Sequence, residues 1–313
     1  MTSPLFLRDL ALSDIAAIRD VLSRFWRLRI AVAGDLTLCR TLQVTDAGLV
    51  IKSEETIGGI GRVLAALCEL TVQIRAAVTV VGDDGVWYEL KERFAELTFS
   101  ADYLQSDSRW TTPVDYQISE AGAARRWRLR HEGALDEALS LPLQMQLRAA
   151  CRQHDGLVIV DRGPTFEASV IDDEIRRVAR HIAEQDARKG LIAWSDAPLG
   201  QFAGWWRYLE PEDLPVSIAN NDLRAITAAA MEHRETYFVR TKSGLIVAAP
   251  DQTAQLLPAQ VTADFSPEAI LATIAAAGIA GADPLTAAQI GAAAATIAGS
   301  VTSGAIAAKI EKK

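Results

Sequence analysis

The sequence predicts an α/β domain in which a doubly wound, mostly parallel sheet carries helices on both faces. Three observations predict it. Unbroken apolar runs at residues 28–33 (LRIAVA), 76–81 (AAVTVV) and 156–160 (GLVIV) read as strands buried on both sides. Helical patterns follow at 58–70, 87–97 and 168–188, and strands alternating with helices imply a parallel sheet with crossovers. Each run closes on a turn, Gly34-Asp35, Gly82-Asp83-Asp84 or Asp161-Arg162-Gly163, at the carboxyl end where such sheets bind ligands.

Length and composition agree with that class. The chain has 313 residues, 50% of them hydrophobic, enough to bury the core of one large domain. Forty acidic residues against 32 basic ones give a net charge of −8, which repels a phosphate backbone and argues against nucleic-acid partners. Cys39, Cys68 and Cys151 lie far apart with no metal-ligand spacing, as expected in a reducing cytoplasm. His131, His154, His181 and His233 show no spacing that suggests catalysis or a metal site.

Taken in order, residues 3–27 form an amphipathic helical extension with Leu10, Ile15, Ile18, Leu22 and Phe25 on its apolar side. Arg8, Asp9, Asp14, Arg19 and Asp20 interrupt the apolar residues, so no secretion signal is expected. The main domain is assigned to 28–313. After the first strand, residues 36–53 alternate loosely as an irregular ribbon, and paired glycines Gly58-Gly59 open a helix to residue 70. Residues 114–118 and 127–130 alternate like half-exposed strands around a Gly122 turn, a hairpin standing off the main sheet. Residues 191–194 and 237–239 add short strands. The alanine-rich tail, 267–310, reads as helix broken near 281–284 and again at 299–304. Its run 269–282 is too short to span a bilayer and ends at Asp283-Pro284, so no membrane partner is expected.

The Gly34-Asp35 turn, the Gly58-Gly59 pair, Val81-Gly82-Asp83-Asp84 and Asp161-Arg162-Gly163 occur in an order that resembles the ribokinase (PfkB) superfamily of sugar kinases. The likeness covers residues 28–309 and is nearest the kinase domain of bifunctional heptose-phosphate kinase/ADP-heptose synthases. It implies a ribokinase-like fold with a small β-lid from residues 36–57 and 106–132, and a homodimer through that lid or a protein partner. It implies a sugar or sugar phosphate over the strand ends, with Asp35 accepting hydroxyl hydrogens, Gly58 and Gly59 allowing close backbone approach, and Asp161 as a further contact. Where the family carries a second aspartate this chain has Cys39, and where it carries an asparagine it has Arg62. A thiol is a poor substitute for a carboxylate, and a guanidinium only donates. Arg62, with Arg125, Arg126, Arg128 and Arg130 of the lid, could favour an anionic ligand; a solvated strand face is the favoured account of the arginines.

The same resemblance implies ATP and magnesium, and here the chain departs furthest. The family's glycine-rich anion loop before a late helix is replaced by Thr262-Ala263-Asp264-Phe265-Ser266-Pro267-Glu268, in which Pro267 offers no N–H. Glu268 stands where the family has its aspartate base. Ser266-Pro267-Glu268 is also an ordinary helix start: hydroxyl cap, proline at the first position, acid in the first turn. The adenine-site turn is reduced to Thr241-Lys242-Ser243-Gly244, and the metal and phosphate motif to Asn220-Asn221-Asp222 with Arg224 in the place of a glutamate. Thr241, Gly244 and Asn221 are the remaining nucleotide-site candidates, and no metal ligand set is assigned. Two readings stand: a degenerate homologue retained for ligand binding or as a partner subunit, or an active divergent ATP-dependent sugar kinase with Glu268 as its base.

Overall fold

The apolar runs become the centre of a nine-stranded sheet. The computed structural model describes residues 12–45, 49–120, 123–129, 135–162, 169–185, 190–215, 218, 222–259 and 266–311. Strands β1 (Arg29–Gly34), β4 (Ile74–Gly82) and β8 (Gly156–Asp161) lie side by side, and alternate residues of each serve opposite faces. Ile30, Val32, Val158 and Val160 enter one core, while Ala31, Ala33, Leu157 and Ile159 enter another. Burial on both sides is why these strands read as unbroken apolar segments rather than alternating ones.

From one edge the strand order is β13 (Gln255–Pro258), β12 (Gly244–Ala248), β11 (Thr236–Thr241), β10 (Trp206–Leu209), β9 (Gly190–Ser195), β8, β1, β4 and β5 (Ser100–Asp107). From β11 to β5 every pairing is parallel, and β12 and β13 turn back antiparallel at the edge. Strands β5, β10, β12 and β13 and the helices α4 (Glu137–Gln153) and α6 (Leu223–His233) add to the elements expected from sequence.

One core packs beneath α1 (Leu12–Arg24), α2 (Ile60–Glu69), α3 (Gly85–Leu97), α7 (Pro267–Ile279), α8 (Pro284–Ala294) and α9 (Ser303–Glu311). The other lies beneath α4 and α5 (Asp173–Gln185), with a third cluster under α6. Ile18, Val21, Leu22 and Phe25 bury α1 in the first core, so the described part of the amino-terminal helix belongs to the main body. The alanine-rich helices sit close because small residues face them. A side chain on Gly156 or Gly190 would collide with Ile279 at the end of α7. The breaks expected near 281–284 and 299–304 fall between α7, α8 and α9. Among the described residues no helix is long and apolar enough to cross a membrane.

A separate four-stranded sheet has the order β3 (Val50–Gly59), β2 (Leu36–Val44), β6 (Val114–Glu120), β7 (Ala123–Leu129). Residues 36–53, expected as an irregular ribbon, are mostly regular strand: β2 and β3 pair antiparallel along nearly their full length. The correction has a simple cause, since cross-strand partners such as Arg40 and Glu55 satisfy each other's charge where an isolated strand would look merely polar. Strand β6 joins β2 in parallel, with Cys39 opposite Asp115, and hairpins back into β7.

Candidate functional site

Strand β1 ends in Gly34, and the chain turns at once into β2, leaving Asp35 at the corner between the two sheets. The side chain of Asp35 is buried, and its Oδ1 accepts the Val170 N–H at 3.1 Å. Its carbonyl accepts the Ile60 N–H at 3.0 Å, which ties the start of α2 to this corner. Gly59, just before that helix, has φ +55°, and any Cβ there would collide with the Asp35 carbonyl. The space above Gly58 is filled by the Cys39 thiol. The glycine pair therefore brings protein backbone close to protein, with Gly59 half-buried in the cleft wall.

Opposite this corner stands the first turn of α7. Ser266 is its cap: Oγ accepts the Ala269 N–H at 3.2 Å, and the hydroxyl donates to Glu268 Oε2 at 2.8 Å. Pro267 occupies the first helical position, and Arg62 from α2 reaches Glu268 Oε1 at 3.6 Å. Cys39 adjoins the same charges. Burial pushes its thiol pKa up, Arg62 opposes that, and the Asp115 and Glu268 carboxylates reinforce it. Cys39, Arg62, Asp115 and Glu268 thus share one corner, although they come from β2, α2, β6 and α7.

The third wall is made by the carboxyl ends of β8 to β11. Arg162 follows β8, lies over the Trp194 ring at 4.8 Å, and pairs with Asp196 at 2.5 Å and with Asp213. Burial, opposed by Arg162 and reinforced by Asp213, raises Asp196 to a pKa of about 6. Glu210, immediately after β10, accepts the Tyr208 hydroxyl at 2.5 Å and pairs with Arg240. Burial and the neighbouring Glu210 charge push the Tyr208 phenol well above its ordinary range.

Across these walls the lid contributes Arg40, Tyr116 and Trp127, and together they enclose a cleft of about 510 Å³. Asp35, Gly59, Arg62 and Glu268, four of the residues singled out from sequence, meet there. Asp161 does not. Both its oxygens bind the buried Arg176, at 2.8 and 3.0 Å, and Oδ2 also accepts the Ser195 hydroxyl at 2.7 Å. Its carboxylate holds α5 to the sheet rather than facing a ligand. Thr241 and Gly244 form the tight turn between β11 and β12, with Thr241 Oγ1 donating to the Gly244 carbonyl at 3.1 Å, and neither lines the cleft. Asn221, residues 260–265 and the side chains of Arg126 and Arg128 lie outside the described residues, as does Arg130.

Sequence reasoning missed Asp196, Glu210, Glu212 and Arg240 as cleft residues, and it named Arg162 only as part of the Asp161-Arg162-Gly163 turn. A usable signal was present: Asp196 and Glu210 directly follow the carboxyl ends of β9 and β10, where open parallel sheets place their ligands. Strand β10, only four residues long and carrying Arg207, gave too weak a pattern to mark its own end.

The first turn of α7 fits a transferring phosphate poorly. Pro267 has no N–H, the Ala269 N–H is taken by Ser266, and the Glu268 carboxylate adds a like charge. Among the described residues, no group of three or more histidine, cysteine or acidic side chains is placed to hold a metal ion.

No family model matches the chain, and no curated protein matches it in sequence. Solved structures match it in shape. Ribokinase from Arabidopsis thaliana, complexed with ribose and ATP, superposes with a TM-score of 0.69 at 13% identity over 91% of this chain and 99% of that one. Phosphofructokinase-2 from Escherichia coli, in complex with fructose-6-phosphate, gives 0.69 at 13% identity over 91% and 100%. Ribokinase from Thermotoga maritima gives 0.65 at 16% identity over 91% and 98%. At such identities the likeness shows the fold, and the chain has a ribokinase-like fold.

Proposed function

We propose that this chain is a degenerate homologue of the PfkB-type carbohydrate kinases, binding a sugar-like ligand between sheet and lid without transferring phosphate. The nearest branch on this reading is the heptose-phosphate kinase domain, for the motifs at Gly34-Asp35, Gly58-Gly59 and Asp161-Arg162. The observation that carries the proposal is the state of Glu268. The one carboxylate in the position of a base is hydrogen-bonded to its own helix cap and faces Arg62, beside a proline that removes an anion-binding N–H. Losing one such donor costs about 3 kcal/mol of transition-state stabilisation in other enzymes, and the Ser266 hydroxyl already occupies one acceptor site of that carboxylate. Binding needs none of this, because Asp35, Asp115 and Trp127 still face the cleft.

A second reading keeps the kinase active, with Glu268 as base, and the observation in its favour is that Glu268 lies in the cleft wall. An assay of ADP release with Mg-ATP over a panel of sugars and sugar phosphates separates the two. The proposal predicts no release above background, and the same trace from Glu268→Gln. Release that Glu268→Gln abolishes would establish the second reading instead. A partner-subunit role is the companion proposal: Leu49, Val50, Ile51 and Trp127 leave large apolar surface exposed on the lid, and light scattering of the purified chain reads its mass.

A further inference from the structure

The cleft wall has a charge imbalance that bears on which ligand it takes. Six carboxylates line it, Asp35, Asp115, Asp196, Glu210, Glu212 and Glu268, against four guanidiniums, an excess of two negative charges among the described residues. The four cations are all engaged. Arg62 faces Glu268, Arg240 pairs with Glu210, and Arg162 bridges Asp196 and Asp213. Arg40 is drawn to Glu55 and Glu89, which lie outside the wall. A phosphate entering here must displace a carboxylate from one of these pairs and sit among the rest; a cation need displace nothing.

A further feature concerns the ligand's cation. Trp127, on the lid, is 61% exposed while lining the cleft, an open aromatic face of the kind that attracts ligand cations.

We propose that the cleft selects a protonated amino-polyol, an amino sugar or aminocyclitol, over a phosphorylated sugar. The proposal rests on the reading above that the cleft holds a sugar-like ligand, and it reverses the anionic preference suggested by Arg62 and the lid arginines in the sequence. Calorimetric titration of the full chain at low salt tests it with two matched sets: glucosamine, glucose and glucose 6-phosphate, then 2-deoxystreptamine, myo-inositol and an inositol phosphate. In at least one set the amine binds about tenfold more tightly than its neutral parent, with the phosphate ester weakest. Glu212→Lys, at an exposed position, reverses one charge and brings the amine's advantage down toward unity. Equal binding of amine and neutral parent, tighter binding of the phosphate ester, or no binding in either set overturns the proposal. Phosphate transfer from ATP to an amine that binds preferentially would instead overturn the proposed loss of catalysis and leave the charge preference standing.

Discussion

Asp196 sits at the carboxyl end of β9 with Arg162 on one side and Asp213 on the other, and its burial keeps it protonated to about pH 6. The folded chain therefore holds a proton that the unfolded chain releases near pH 4. Because the folded pKa is the raised one, this contribution to stability is complete below the unfolded value and is lost as the pH rises through about 6. Thermal melting between pH 4 and 7 should show that decline, and Asp196→Asn should flatten it; an unchanged profile would remove Asp196 as its source. Asp161 makes a different kind of prediction. Asp161→Ala leaves Arg176, 2% exposed, without its bidentate partner, and should lower the unfolding free energy by about 3 kcal/mol in a denaturant titration. These roles were unevenly legible. Asp35 could be picked out because it adjoins a recognisable turn and Glu268 because it stands at the base position that the resemblance implies, whereas Asp161 looked like a ligand contact because its partner, Arg176, stands fifteen residues on in a helix. A pairing between elements leaves no local mark in the sequence.

Among the elements, α7 illustrates how packing overrides propensity. Gly278 lies inside this helix, where alanine is intrinsically favoured by up to about 1 kcal/mol. The Trp206 ring of β10 occupies the space its Cβ would take. Gly278→Ala should therefore destabilise the chain by about 1 to 3 kcal/mol, the range for overpacking, and a gain in melting temperature would show that the helix has room to shift. The strands β1, β4 and β8 and the breaks around α8 were readable because continuous burial and helix-stopping residues are local signals. Strand β5, SADYLQSD, was hidden by its polar edge position, and β10, WRYL, by a buried arginine whose partners are the Ser195, Ala197 and Pro198 carbonyls. The lid strand β2 was blurred by Arg40, whose charge is matched across the sheet by Glu55 and from α3 by Glu89.

At the scale of the molecule, the fold delivers side chains from both sheets and from α2 and α7 into one cleft, as the parallel order of the sheet implied. Into that frame this chain sets a thiol opposite a lid carboxylate, four engaged guanidiniums, and a helix that starts with a proline at the cleft wall. The architecture was legible because it depends on hydrophobic pattern, which survives changes at the strand ends; the contents of the cleft were legible only where a motif's spacing persisted. The central claim is that ligand binding persists here without nucleotide-dependent catalysis. Calorimetric titration of the purified chain with Mg-ATP and with ADP tests it most directly. No heat of binding at millimolar nucleotide is the predicted result; saturable binding in the micromolar range would contradict it by showing that the chain retains a nucleotide site.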